Sequence, residues 1–302
     1  MEAFIRGCAW EGTASVPYPR ADPADFARLP GDTWGMAQVP AGVRVEFVGD
    51  APFVDIEYRA AEAAGTRVAF ELWRGGTLVS YAEAAPGAGV VRLACGPPAG
   101  AEGRCTVYLP ESLRPLVVGV TPIDGSIEPA PRQPRWLVYG DSIAEGWVAS
   151  APSGPWPAVA GRTFELDTIN CAYAGAARGE MASAEQLAGV AADVITVCHG
   201  TNCWTRIPHS AAMVAAGMDA FLTVLRQGHP TTPIVLSQST PFRTPSASLD
   251  SVTENGGSDA PLATIVTSDH TRRTTASTLV TWNILSALPL DSSIPMRFFR
   301  QK

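Results

Sequence analysis

Three short stretches of the chain carry residues that could make and break an ester bond. The apolar run Trp136-Leu137-Val138-Tyr139 ends abruptly in Gly140-Asp141-Ser142. A short buried strand that delivers a serine hydroxyl into a turn presents a candidate nucleophile. Further along, Asn170-Cys171-Ala172-Tyr173-Ala174 leads to Gly175. A glycine there would let its N–H come close to a ligand with no Cβ in the way. After a second apolar run at 194–198 comes His199-Gly200-Thr201-Asn202, whose last residue offers a neutral amide donor. Acyl transfer needs a nucleophile, a base to take its proton, and donors placed where the carbonyl oxygen becomes negative. These three stretches offer the first and the last of those requirements. A helix starting just after Ser142 would add its own N–H groups and positive dipole end to such a site.

In this order, Ser142, Gly175 and Asn202 with their flanking residues resemble the blocks of the SGNH (GDSL) hydrolase family. The resemblance implies that Ser142 is the nucleophile. It also implies that the N–H groups of Ser142 and Gly175, with the side-chain amide of Asn202, form the oxyanion hole. A flavodoxin-like three-layer α/β fold around a parallel sheet is implied too, preceded as in some bacterial members by a jelly-roll module. The activity implied is that of a serine esterase or acyltransferase acting on a small-molecule ester or an acylated carbohydrate. The family's fourth block, Asp-x-x-His, occurs nowhere in the 302 residues, so catalysis by this chain is expected to be impaired. The alternative is a non-catalytic binding protein, a sandwich module joined to a degenerate hydrolase domain. An α/β-hydrolase would need Gly-x-Ser-x-Gly, and Ala144 stands where the second glycine belongs.

The base is the open position. The chain has four histidines, His199, His209, His229 and His270. His199 should sit at a strand end near the site without the geometry of a base, and His209 and His229 read as loop residues. His270 has Asp269 beside it, but adjacent side chains point in different directions, whereas an acid three residues away could hold the imidazole from one turn off. Asp141 reads as structural, holding the turn. Arg178 could reach a substrate carboxylate or an acidic side chain, or play a solvated or helix-capping part.

Two kinds of element must position these residues. Over 1–130 the rhythm is period-two: Val43, Val45 and Phe47 alternate with Arg44 and Glu46, and Val54, Ile56 and Tyr58 with Asp55 and Glu57. Gly75-Gly76 marks a hairpin turn. Such alternation predicts an antiparallel β-sandwich of jelly-roll type. Trp10, Trp34, Trp73 and Tyr81 would serve either its packing or a carbohydrate-stacking face. Pro122, Pro129, Pro131 and Pro134 should interrupt helix and ladder alike and mark the domain boundary. From 135 to 243 short apolar strands alternate with helical segments at 178–190 and 210–227, the second closed by Gly228, while 152–157 reads as a proline-rich loop. Strand, helix, strand at this spacing requires a parallel sheet with right-handed crossovers.

Residues 244–302 break the pattern. They are rich in Ser and Thr, lack a lasting helical stripe, and read as an aberrant or disordered tail. A displaced reading frame would also account for them: with suitable codons, a two-nucleotide shift turns 291–296 into Leu-Ile-His-Pro-Asn and 273–278 into Asp-Asp-Arg-Leu-Asn. Without a further helix and strand, apolar residues such as 194–198 should be left uncovered on one face of the sheet.

Bulk properties narrow the remaining possibilities. A composition of 46% hydrophobic and 17% charged residues is that of a globular protein. The net charge of −7 and a pI near 5.2 argue against nucleic acid as partner. No run approaches a membrane span and the first residues do not read as a signal peptide, so a cytoplasmic location is expected. The six cysteines are dispersed with no C-x-x-C and read as small buried hydrophobes; Cys95 and Cys105 would be the pair to bridge were the chain exported. Neither a cofactor nor a metal is called for, and the partner expected is the ester substrate alone.

Overall fold

The structure, a computed structural model, describes residues 1–61, 64–96, 103–204, 208–237 and 262–265. The remaining residues, which include His270 and most of the Ser/Thr-rich stretch with its proposed frame displacement, lie outside the described residues.

The alternating segments form strands whose inward residues are apolar. These are β1 (Ile5–Arg6), β2 (Arg44–Gly49), β3 (Phe53–Ala60), β4 (Ala69–Arg74), β5 (Thr77–Glu83), β6 (Gly87–Ala94), β7 (Cys105–Tyr108), β8 (Leu116–Ile123) and β9 (Ile127–Pro129). One antiparallel sheet has the order β1-β2-β7-β4-β5, with β9 also on β2; the other is β6-β3-β8. In β3, Val54, Ile56 and Tyr58 are buried while Phe53, Glu57 and Arg59 face out. These residues share a core with Val45, Phe47, Phe70, Leu72 and Val107 of the first sheet. Gly75 and Gly76, with φ of 55° and 79°, make the β4–β5 turn, whose twist matches that of the strands it joins. Pro122 and Pro129 do not interrupt the ladder, contrary to expectation. They lie inside β8 and β9, paired with Val54 and Phe47. Both strands are at sheet edges, where a missing donor costs little.

Five parallel strands follow, β10 (Arg135–Gly140), β11 (Asp167–Asn170), β12 (Val194–Cys198), β13 (Ile234–Ser237) and β14 (Leu262–Ile265), in the order β11-β10-β12-β13-β14. The accompanying helices are α1 (Gly31–Ala37), α2 (Ser142–Glu145), α3 (Trp156–Thr163), α4 (Met181–Ala188) and α5 (Ala211–Gly228). Helix α3 arises where a loop was expected, because Pro155 is its N-cap and Pro157 falls in its first turn, where no N–H is needed. Ser210 caps α5 by accepting from the Met213 N–H at 3.2 Å. Gly228 is the last residue of α5 rather than a left-handed cap. A Cβ on it would come within 2.1 Å of the Ala188 carbonyl oxygen, so the glycine allows the close approach of α4.

Both faces of the parallel sheet are covered. Leu137 and Tyr139 of β10 join Ile195, Val197, Phe221 and Leu225 in one core, and Trp136 and Val138 join Ala160, Leu166 and Val194 in another. All five residues of β12 are buried, which corrects the expectation of an uncovered face. Part of that cover comes from the start of the chain, since Ala21, Leu29 and Ala37 belong to the first of these cores. The antiparallel and parallel sheets are joined by Arg44, which is 3% exposed. Its guanidinium donates to Glu46 at 2.6 Å, to Asp167 at 2.9 Å and to the Thr168 carbonyl at 3.0 Å. The four aromatic residues do not form one face: Trp10 and Trp34 pack on the parallel-sheet core, Trp73 lies 4.0 Å beneath the Arg162 guanidinium, and Tyr81 projects into solvent.

Candidate active site

Parallel pairing brings the ends of β11, β10 and β12 level, with Val138 beside Asn170 and Gly140 beside Cys198. The segments carrying Gly175, Ser142 and Asn202 therefore leave the sheet at the same carboxyl edge, where open α/β sheets place their ligands. Gly140 is tightly enclosed. A Cβ on it would meet Cys198 Sγ at 2.6 Å and Ala144 Cβ at 2.8 Å. Its carbonyl accepts from the Tyr173 N–H at 2.8 Å, and the Asp141 N–H donates to the Cys198 carbonyl at 3.3 Å, so the serine turn is tied to both neighbours. Asp141 is fully buried and caps α2 by accepting from the Ile143 N–H at 3.0 Å, the structural part expected of it. Ser142 opens the single turn of α2, and its carbonyl accepts from the N–H groups of Gly146 and Trp147, both at 3.0 Å.

Gly175 is exposed and left-handed, with φ of +68°. Apart from its chain neighbours, no atom of the described residues lies within 4 Å of a Cβ placed there, so glycine is required by the backbone angle and not by crowding. Among the described residues the Gly175 N–H has no hydrogen-bond partner. Its neighbours are committed: the Ala174 N–H donates to Glu145 Oε2 at 2.8 Å, and the Ala176 N–H to the Tyr173 carbonyl at 3.2 Å. The Asn202 side chain, 4% exposed, sits against the same loop, with Nδ2 3.4 Å from the Tyr173 carbonyl oxygen and 3.2 Å from that of Ala177. The Arg178 guanidinium turns back on the loop and donates to the carbonyls of Gly175 and Ala176, both at 2.9 Å.

Glu145 is a residue that sequence reasoning missed. Its signal was present in the spacing Ser142-x-x-Glu145, the pattern of a capping box. Here the carboxylate reaches across to the next loop instead of back to the cap. Tyr139 was read only as part of a strand. Its hydroxyl donates to Glu180 at 2.7 Å and accepts from the Gly179 N–H at 3.1 Å, and burial together with the adjacent Glu180 carboxylate pushes the phenol well above its usual pKa.

The histidines divide clearly. His199 is 9% exposed, with its ring 5.4 Å from that of Tyr139 and 5.6 Å from that of Phe221, and among the described residues neither ring nitrogen has a hydrogen-bond partner. Burial pushes its pKa down to about 4 against the opposing pull of Asp141, which leaves it neutral. His209 Nδ1 lies 3.1 Å from the Cys203 carbonyl oxygen, and buried His229 places Nε2 3.0 Å from that of Leu187. Among the described residues no group of three His, Cys, Asp or Glu could hold a metal ion, and the six cysteines are free thiols. No described helix is long and apolar enough to cross a membrane.

Residues 133–279 match the GDSL-like Lipase/Acylhydrolase family. No curated protein matches in sequence. Among solved structures, a protein from Bacteroides ovatus described as a GDSL-like lipase superposes with a TM-score of 0.64 at 23% identity, over 77% of this chain and 70% of that one. A salicylyl-acyltransferase from a tetracycline biosynthetic pathway gives a TM-score of 0.65 at 25% identity, over 76% and 68%. An acetyl xylan esterase from the rumen bacterium Butyrivibrio proteoclasticus gives 0.51 at 16%, over 79% of each chain. The first and third likenesses bear on the fold alone.

Proposed function

We propose, from the match of residues 133–279 to the GDSL-like lipase/acylhydrolase family, that the chain is a serine esterase or acyltransferase of SGNH hydrolase type whose nucleophile is Ser142. The Ser142 hydroxyl attacks the ester carbonyl. The charge that develops on oxygen is met by the N–H groups of Ser142 and Gly175 and by the Asn202 amide, which gives up one of its two bonds to the Tyr173 and Ala177 carbonyls to do so. The observation that carries this reading is the uncommitted, exposed Gly175 N–H, held in a loop against which Asn202 packs, at the sheet edge that also presents Ser142.

Ile143, Trp147 and Val148 are 45%, 58% and 92% exposed, an apolar rim beside the nucleophile. The Trp147 N–H bond to the Ser142 carbonyl keeps that rim close. It favours an ester with an aryl or medium-length apolar acyl group, on a small molecule or a carbohydrate, over a bare acetyl ester. The salicylyl-acyltransferase likeness is in keeping with such an acyl group and with an acceptor other than water. We take the N-terminal sheets as a jelly-roll module and the location as cytoplasmic. Leu262–Ile265 pairs with β13 and the family match runs on to residue 279, so of the displaced frame expected over 244–302 we propose only the part beyond residue 265, which the coding DNA around codons 240–302 would test.

Because the sequence has no Asp-x-x-His, turnover by this chain should be slow, by the 10² to 10⁴-fold that base assistance typically supplies, so about that factor below related enzymes. The same gap favours the second reading, a binding protein that has lost catalysis. The test is hydrolysis of short aryl esters by the full chain. Ser142→Ala should abolish the activity above background, and Asn202→Ala should lower kcat by on the order of 10²-fold or more. An Asn202→Ala rate equal to that of the parent would remove the amide from the oxyanion hole, and the absence of any Ser142-dependent rate would favour the binding protein.

A further inference from the structure

The start of the chain reaches into the loop that carries Gly175. Arg20 is 1% exposed, and its guanidinium is engaged from every side. It donates to Glu145 Oε1 and to the carbonyls of Val39, Met36, Ala172 and Asn170. Its own carbonyl accepts from the Tyr173 hydroxyl at 2.6 Å, and its N–H donates to the Ala37 carbonyl at 2.8 Å. From α1, Asp32 pairs with Arg178 at 2.9 Å and the Thr33 hydroxyl donates to Glu180 at 3.1 Å.

These contacts fix peptide planes one by one. The 172–173 plane is held by Arg20 at the Ala172 oxygen and by Gly140 at the Tyr173 N–H. The 173–174 plane is held by Glu145, itself oriented by Arg20, at the Ala174 N–H, and by Asn202 at the Tyr173 oxygen. The 175–176 plane is held by Arg178, anchored to Asp32, at the Gly175 oxygen, and by the Ala176 N–H bond to Tyr173. The plane between them, which carries the Gly175 N–H, is fixed by its neighbours while its own donor stays available. A donor useful to a transition state must be held in place beforehand, within about 0.5 Å.

We infer that Arg20, through Glu145, and Asp32, through Arg178, are positioning residues of the ester-cleaving site, so that the segment between β1 and β2 is a working part of the catalytic unit and not only cover for its core. The inference rests on the proposed role of Gly175 as an oxyanion donor. Neither residue touches substrate; each acts by holding the direction of one N–H. A buried arginine with all of its donors used also gives the loop one arrangement, because any other would leave a charge buried without partners.

The experiment uses the full chain with Asp32→Asn, Asp32→Glu and Arg20→Gln, read by amide hydrogen exchange and by aryl-ester kinetics. Asp32 is partly exposed, so its variants should fold even if Arg20→Gln does not. Asp32→Asn should speed exchange in peptides covering 172–178 while leaving 194–198 protected. It should also lower kcat about ten- to a hundred-fold with KM unchanged, the scale of a donor displaced by about an ångström. Asp32→Glu should recover part of both. Exchange at 172–178 equal to the parent's, or raised equally across the parallel sheet, would overturn the inference, as would a change in KM with kcat intact. If the parent shows no Ser142-dependent turnover, the esterase reading falls on its own, and the exchange measurement alone decides whether Asp32 and Arg20 hold the loop.

Discussion

Single residues at the carboxyl edge explain why the three motif stretches have the composition they do. Gly175 is glycine because φ of +68° disfavours any Cβ, and Asn202 is an amide because it must donate toward carbonyls from a buried position without bringing a charge. His199, the residue of the third stretch with the most familiar chemistry, is the one the structure takes out of acid–base work. With a pKa of about 4 in the fold against about 6.5 in the unfolded chain, it binds fewer protons folded than unfolded between those values. Its contribution to stability is therefore complete above pH 6.5 and is lost as pH falls toward 4, by about 3 kcal/mol in all. His199→Phe, whose ring can lie against Tyr139 and Phe221 without titrating, should flatten the rise of the urea midpoint between pH 4 and 6.5. An unchanged slope in that window would mean that another group carries it.

At the scale of elements, the glycine that ends β10 sets how closely the serine turn approaches its neighbour. Gly140→Ala would place a methyl group against Cys198 Sγ, Ala144 Cβ and the Cys198 carbonyl. The expected loss is about 1–3 kcal/mol in denaturant unfolding, with ester turnover reduced along with it because the turn carrying Ser142 must shift; a neutral substitution would show the turn to be looser than described. The strands β10, β12 and β13 and the long helix α5 were legible in the sequence, since continuous apolar runs and a 3.6-residue stripe are local signals. Helix α3 was not, because prolines that break a helix interior are tolerated in its first turn. Strand β14 was hidden in a Ser/Thr-rich stretch whose pairing with β13 depends on a partner distant in sequence. Ser142, Gly175 and Asn202 were readable as a set of motifs, but Arg20, Asp32 and Glu145 were not. What they do depends on carbonyls and N–H groups 16 to 152 residues away, and no spacing rule links those.

For the molecule as a whole, the antiparallel and parallel sheets are coupled through charges that neither can leave unpaired. Arg44 and Asp167 are both 3% exposed, and Asp167→Ala would leave the guanidinium with Glu46 as its remaining close carboxylate. Removing one member of a buried pair typically costs 3–5 kcal/mol, and with Glu46 still present a loss of about 3 kcal/mol is expected, seen as a single unfolding transition moved to lower temperature. Two separated transitions would mean that the sheets unfold independently. The central claim concerns Ser142, and it can be tested without relying on turnover. Where no base assists, release of the acyl group is slowed along with its arrival, so an activated aryl ester should leave an acyl group on the protein long enough to be weighed. The most direct measurement is intact-mass and peptide mass spectrometry of the full chain after incubation with such an ester. An acyl group mapped to Ser142 and absent from Ser142→Ala is the predicted result; ester consumed with no adduct at Ser142, or with the adduct on another residue, would contradict it.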